Sequence, residues 1–383
     1  MSGGARPRIA VIAEGYGTAG GSERFVQEVT ERLAATGRYE FHVFANRWWS
    51  ERADITFHHV PRIKFPRFLR PWFFTRVAQR RVARGGFDLV HAHWPTFRAD
   101  VFSTHGSPHA YWVRHVLRRR PNLFDRVMMH IDRCMIADGA DATFMPVSRF
   151  LQDRFGEVFG TLPGRWLVQP PGVDADRFAP HPTARAQVRA SLGIPADSRL
   201  LLFVGMNFQT KGLARLIEGL ASARRRAPEL DLRLLVVGRG DQDRFARLAG
   251  SRGVSGRVHF AGPQPTGIER FYAAADAFAL VSEFETFGMV VLEAMAAGLP
   301  VLVSDRMGAS DLVRPGEQGF VVPAKADPEV MGERIAAILD PLAGRRMGEA
   351  GRQVAERQSW QRVADAVDRV YRDRLAAVAH AWR

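Results

Sequence analysis

The sequence predicts an α/β protein made of two βα domains, and three observations carry that prediction. The chain has 383 residues, whereas a single hydrophobic core stops growing near about 250–300 residues. Short β-rich runs alternate with amphipathic helical runs along almost the whole length, the pattern of parallel sheets covered by helices. The alternation breaks at Gln169-Pro170-Pro171-Gly172-Val173-Asp174, where two prolines and a glycine exclude a regular element and mark a linker. The expected division is a first domain over 1–172, a second over 173–360, and a C-terminal helix over 361–383 that packs back toward the first domain.

The elements follow in order. Arg8–Ala13 is an apolar run, Glu14 to Gly21 is glycine-bearing, and Phe25, Val26, Val29 and Leu33 then recur at helical spacing. This reads as strand, glycine loop, helix. Further strands are expected at Glu40–Ala45, Ile55–Val60, Leu89–His93, Val101–Thr104 and Thr143–Val147. After Pro180 the alternation restarts, with strands at Leu200–Gly205, Leu232–Gly238, Val258–Ala261, Ala277–Val281, Val301–Ser304 and Phe320–Val322. Helices are expected at Leu213–Arg225 and Gln242–Ala249, and a long last one at Arg362–Ala379.

Composition narrows the class. Hydrophobic residues at 46%, charged at 25% and aromatic at 10% are those of a folded chain rather than a disordered one. The single cysteine, Cys134, cannot form an intramolecular disulfide, which suits a reducing compartment. Met1 to Ile9 lacks the apolar run of a secretory leader, and no apolar stretch reaches the roughly 20 residues that span a bilayer. A cytoplasmic protein is expected, attached to a membrane at most by its surface. The net charge is +14, and only Lys64, Lys211 and Lys325 among the 54 basic residues are lysines. The excess gathers in the first half, in Arg62, Lys64, Arg67, Arg70, Arg76, Arg80, Arg81 and Arg84, and again in Arg114 and Arg118 to Arg120. Phe65, Phe68, Trp72, Phe73, Phe74, Trp112 and Leu117 are interleaved with them. Cations beside aromatics suit an anionic membrane surface, here the inner face of the cell membrane. Nucleic acid is the competing partner for such charge, and the domain pattern opposes it.

The stretch richest in chemistry runs from Val281 to Pro300. It reads as a strand end, a tight turn at Gly288, and a short helix stopped by Gly298 and Pro300. Ligands of open α/β sheets bind beyond the carboxyl ends of the strands, where helix N-termini offer free N–H groups to phosphate. Glu285 precedes this helix and Glu293 is expected about two turns into it. At 1.5 Å per residue their eight-residue spacing is about 12 Å along an axis, a match to opposite ends of an extended nucleotide-sugar.

This segment resembles the E-x7-E signature of glycosyltransferase family four, retaining enzymes of the GT-B fold. Other segments fall in the same order: Gly20-Gly21-Ser22-Glu23-Arg24, Pro171-Gly172-Val173-Asp174, Phe203-Val204-Gly205 leading to Lys211-Gly212, and Leu235-Val236-Val237-Gly238. The resemblance covers nearly the whole chain. Within the family it is similar to the lipopolysaccharide core glucosyltransferases, through Gly20-Gly21, Asp100 after the Pro95 turn, and Val204 to Gly212.

The resemblance implies two Rossmann-like domains facing across a cleft, and a role for each matched residue. Glu293 would accept hydrogen bonds from the donor ribose, and Glu285 would lie at the donor sugar. The backbone amides of Phe287, Gly288, Met289 and Val290 would hold sugar and diphosphate, and Lys211 would neutralise the diphosphate as it leaves. Gly20 and Gly21 would let backbone approach the same phosphates, and His105 would face the sugar with Asp100 as a further candidate. The donor would be a nucleotide-sugar, UDP-glucose favoured, acting as substrate with no cofactor. The acceptor would be a glycan or lipid-linked glycan of the cell envelope. One departure stands out: many members carry an arginine five residues before the lysine, where this chain has Met206, and the residue just before the lysine is Thr210 rather than a base.

No metal site is expected. His91 and His93 share one face of a strand, yet with His105 and His109 they are joined by no cysteine or tight carboxylate cluster. The rival enzyme class is a GT-B-fold epimerase or phosphorylase, and the rival outside enzymes is a basic nucleic-acid-binding protein.

Overall fold

The structure, a computed structural model, describes residues 6–18 and 20–381, with side chains described to residue 377. The chain forms two compact units, one of Met1–Gly172 with Trp360–Arg383 and one of Val173–Ser359.

The first unit holds β1 (Arg8–Ile12), β2 (Gly15–Tyr16), β3 (Glu40–Ala45), β4 (Arg47–Trp48), β5 (Ile55–His59), β6 (Leu89–Ala92), β7 (Val101–Thr104), β8 (Thr143–Pro146) and β9 (Arg165–Trp166). Its seven-stranded parallel sheet has the order β5-β3-β1-β6-β7-β8-β9, and β2 pairs with β4 apart from it. Ile9 to Ile12 are fully buried, as expected of a central parallel strand covered on both faces. The short pairs β2–β4 and β9 carry too few apolar residues to show as runs in the sequence.

The second unit holds β10 (Arg199–Met206), β11 (Leu232–Arg239), β12 (Val258–Gly262), β13 (Ala277–Leu280), β14 (Val301–Ser304) and β15 (Gly319–Val322). They form one parallel sheet in the order β12-β11-β10-β13-β14-β15. The strands read as unbroken apolar runs, Leu200–Phe203 and Leu234–Val236 being fully buried. In each unit the winding direction reverses once, between β1 and β6 in the first and between β10 and β13 in the second. Loops at these switch points diverge to opposite faces and leave a crevice at the carboxyl ends of the strands.

The last helix, Trp360–Ala381, belongs to the first unit. Trp360, Val363, Ala364, Val367, Val370 and Tyr371 form its buried stripe at three- and four-residue spacing. The stripe packs beside the helix Gly21–Ala35, with the Trp360 ring edge-on to Phe25. Tyr39 donates to Asp368 at 2.9 Å, and Arg38 pairs with the same carboxylate at 2.9 Å.

The aromatic and basic segment differs from the sequence expectation. Phe74 lies inside the helix Arg70–Arg84 among its buried residues and Phe73 is half-buried, so of that run only Trp72 points outward. The outward apolar groups are Phe65, 87% exposed, with Leu123 and Phe124, which line one open depression together with Pro66, Arg67, Phe68 and Asn122. Helical periodicity decides which face of 70–84 turns inward, and composition alone does not show it.

Candidate active site

The second unit gathers its candidate residues at the switch point. Lys211 lies in the loop after β10, and Glu285 in the loop after β13. The two loops are zipped together: the Glu283 amide donates to Thr210 O at 3.0 Å, and Arg215 pairs with Glu283 at 2.9 Å. Gly212 closes the first loop with φ +80, and a Cβ there would overlap the carbonyl oxygen of Val281. Only glycine fits so close an approach in that conformation. This crossing brings the Lys211 ammonium into an ion pair with Glu285. Burial lowers the Lys211 pKa to about 8, while a carboxylate facing the ammonium favours the charged form.

Glu285 is held by backbone on both sides. Its amide donates to Arg306 O at 2.9 Å, and its carbonyl accepts from the Gly308 amide at 3.1 Å. Gly288 then turns the chain with φ +95 against the Met307 side chain and caps the helix Met289–Ala296. Extended pairing at Glu285 and the turn at Gly288 use the first residues of the spacing. Glu293 is therefore the fifth residue of the helix, just over one turn in, and not two turns as expected. The first amides of a helix have no intrahelical acceptor, so those of Met289 and Val290 are turned to the strand ends. Val291, Leu292, Ala294, Met295 and Ala296 are buried, and Glu293 is the one ionisable residue of this apolar helix. Its carboxylate accepts from the Tyr272 hydroxyl at 2.8 Å. Tyr272 is fully buried, and burial followed by the charge on Glu293 pushes its pKa well up, so it stays a donor. Nothing in the sequence marks Tyr272; it is found only when the helix Glu269–Ala274 is laid against Glu293.

In the first unit the switch point collects Gly20, Gly21, His93 and His105. Gly20 and Gly21 are exposed at the start of the helix Gly21–Ala35. His93 continues β6, its amide donating to Ile12 O at 2.8 Å. His105 follows β7. The two imidazoles stack and share a hydrogen bond, His93 Nδ1 to His105 Nε2, at 3.2 Å. Phe25 packs edge-on against His105 at 4.9 Å between centroids. Burial holds His105 down at about 4 and His93 well below the usual range, so both are neutral at pH 7. His91 is committed to the core, between Tyr371 Oη at 2.7 Å and Ser103 Oγ at 2.9 Å. His109 turns away to Asp125 at 2.8 Å. Among the described residues no group of three or more His, Cys, Asp or Glu side chains is arranged to hold a metal.

Asp100 does not join this cluster. It immediately precedes β7, at the amino end of the strand that His105 leaves, and accepts from the Val90 amide at 2.7 Å while facing Arg374 at 3.6 Å. Four strand residues lie between it and His105, so the two are five rises or about 16 Å apart at 3.3 Å per residue. The expectation of a catalytic Asp100 is corrected to a strand-start residue that pins β6 to β7.

Comparison with known proteins gives the family and the fold. Residues 19–177 match the family described as Glycosyltransferase Family 4, and residues 184–354 match Glycosyl transferases group 1. The D-inositol 3-phosphate glycosyltransferase of Corynebacterium glutamicum (strain R) is 31% identical, over 76% of this chain and 73% of its own. The protein of the same name from Acidothermus cellulolyticus is 29% identical over 96% of this chain and 91% of its own. Among solved structures, WaaG, a glycosyltransferase involved in lipopolysaccharide biosynthesis, superposes with a TM-score of 0.77. It is 25% identical and covers 94% of this chain and 98% of its own. The fold and these matches define a sugar-transferring enzyme of the GT-B class. The chain belongs to glycosyltransferase family 4.

Proposed function

We propose that the enzyme is a retaining hexosyltransferase that needs no metal or other cofactor. It takes hexose from a UDP-hexose, UDP-glucose first, and passes it to a phosphate-bearing glycan or lipid-linked glycan of the cell envelope, such as a lipopolysaccharide core. The observation that carries this reading is the meeting of Lys211, Glu285 and the start of the Met289–Ala296 helix at one switch point.

In this reading Glu293, steadied by Tyr272, accepts from the ribose hydroxyls. Lys211 and the amides of Phe287, Gly288, Met289 and Val290 meet the diphosphate, where negative charge grows as the bond to the sugar breaks. Glu285 takes the donor sugar, and His105, a neutral imidazole held by His93, faces its hydroxyls. Gly20 and Gly21 present backbone amides to the phosphates. The acceptor oxygen bonds to the anomeric carbon as the carbon–phosphate oxygen bond breaks. The acceptor proton passes to the departing diphosphate on the same face, so configuration is retained.

The relatives' names support a phosphorylated polyol as an alternative acceptor, and the charge of the first unit supports an anionic one. From Ile55 to Phe124 there are 13 Arg and Lys against two acids, Asp88 and Asp100. The exposed Phe65, Leu123 and Phe124 lie among these cations, which favours attachment to the inner face of the cell membrane. No helix among the described residues is long and apolar enough to cross a membrane.

A thermal-shift panel of UDP-, GDP- and ADP-hexoses tests the donor. A ligand at 100 times its Kd adds about 2.7 kcal/mol, so UDP-hexose should raise Tm and the others should not. Stabilisation by none of the three would sink the reading. Turnover that EDTA abolishes and a divalent cation restores would overturn the metal-free mechanism.

A further inference from the structure

The loops that follow β1 and β3 continue as a ladder beyond the sheet of the first unit. The Asn46 amide donates to Glu14 O at 3.1 Å and the Trp49 amide to Tyr16 O at 2.9 Å, around the two-residue pairing of β2 with β4. The ladder ends in two adjacent tryptophans. Trp48 lies flat on Phe57, with planes 8° apart and centroids 5.3 Å apart, and is still 39% exposed. Trp49 is 57% exposed, the most of any described tryptophan. Its backbone is fixed, because Gly17 (φ +64) packs where any side chain would overlap the Trp49 carbonyl oxygen. Polar groups gather near the Trp49 backbone: Gly17 packs between the Trp49 carbonyl and Gln27, Gln27 donates to Glu31 at 3.1 Å, and Ser50 donates to the same carboxylate at 2.8 Å.

Tryptophan is enriched where proteins meet ligands and partners, because it joins a large apolar face to a polar N–H. Trp48 and Trp49 stand at the carboxyl end of the sheet, on the same rim as Gly20 and His105. The geometry points to Trp49 as a stacking platform for a six-membered polyol ring of the acceptor. Such a ring offers a face of C–H groups to an indole and a rim of hydroxyls to Gln27, Glu31 and Ser50. A diphosphate, by contrast, needs cations and amides. The ring can belong to a hexopyranose or to a cyclitol, since both present the same face. The assignment rests on the transferase reading above and adds an acceptor subsite to it.

The test uses the full chain labelled with 5-fluorotryptophan, the Trp49 resonance being identified by its loss in Trp49→Phe. Maltotriose and myo-inositol 3-phosphate are titrated separately into the tens of millimolar, and UDP-glucose stabilisation is measured on the same samples. A saturable shift of the Trp49 resonance with either probe is expected, and the probe that gives it names the source. Trp49→Ala should weaken that binding about tenfold and Trp49→Phe clearly less, both keeping UDP-glucose stabilisation. No shift with either probe while UDP-glucose still stabilises the protein would overturn the platform alone. Loss of stabilisation by the donor in the wild type would instead strike the transferase reading.

Discussion

Glu293→Ala should weaken donor binding by about tenfold or more, since a hydrogen bond to a charged group is worth about 1.5–3 kcal/mol. Tyr272→Phe should raise the donor KM several-fold with kcat little changed, because the tyrosine is fully buried and acts through its hydrogen bond to Glu293. Steady-state kinetics separate the two, and equal kcat loss in both would refute the division of roles. Lys211 adds a pH dependence. Burial lowers its pKa from 10.5 to about 8, so donor affinity should fall as pH rises through about 8, and Lys211→Arg should flatten that decline. Protonating this lysine costs the folded state, so its contribution to stability is present above 10.5 and is lost as pH falls toward 8. The sequence showed Lys211, Glu285 and Glu293 because each belongs to a short ordered motif. It could not show that Lys211 pairs with Glu285, a contact across 74 positions created by neighbouring strands. Nor could it show that Asp100 stands at the wrong end of its strand, since an aspartate before an apolar run reads alike in either role.

At the scale of elements, the switch points were legible because strand runs, glycine loops and helix stripes alternate cleanly. Helix faces and short edge pairs were not, as Phe74, β9 and the β2–β4 ladder show. The loops themselves make a prediction. Gly212→Ala places a side chain against Val281 and forces φ +80 on a residue that resists it, at a cost of roughly 1–3 kcal/mol. Thermal melting should show that loss, and donor affinity should fall further than stability accounts for, because the loop also carries Lys211. Retained donor affinity in this variant would mean that the loop tolerates rearrangement. On the first unit, cosedimentation with anionic but not neutral vesicles is expected, released by salt. Phe65→Ser with Phe124→Ser should weaken it without touching donor binding; unchanged binding would return the membrane contact to Trp72.

At the scale of the molecule, acid should strike the first unit. Burial lowers His91 to about 3 and His105 to about 4 from 6.5. Below 6.5 the unfolded chain takes up protons that the folded one refuses, so stability present above 6.5 is lost as pH falls toward 4. The slope is about 1.4 kcal/mol per pH unit per histidine. Asp132, raised to about 7 by burial, works the other way and loses its contribution as pH rises through 7. Melting curves between pH 7 and 4.5 check the sign. Truncation after Ser359 is the complementary test. It removes Trp360, Val363, Val367, Val370 and Tyr371, and at about 1.5–3 kcal/mol each their burial rivals the whole stability of a domain. Calorimetry of residues 1–359 should retain the transition of the second unit and lose that of the first.

That last helix also sets an order of events during synthesis. The second unit is one continuous stretch and can fold once the ribosome has released Ser359. The first unit is written in two stretches that flank the second. Although its strands emerge earliest, its groove beside Phe25 and Tyr39 stays open until Trp360, Asp368 and Tyr371 arrive. A chain cut at Ser359 would therefore hold a complete second unit and an unfinished first one.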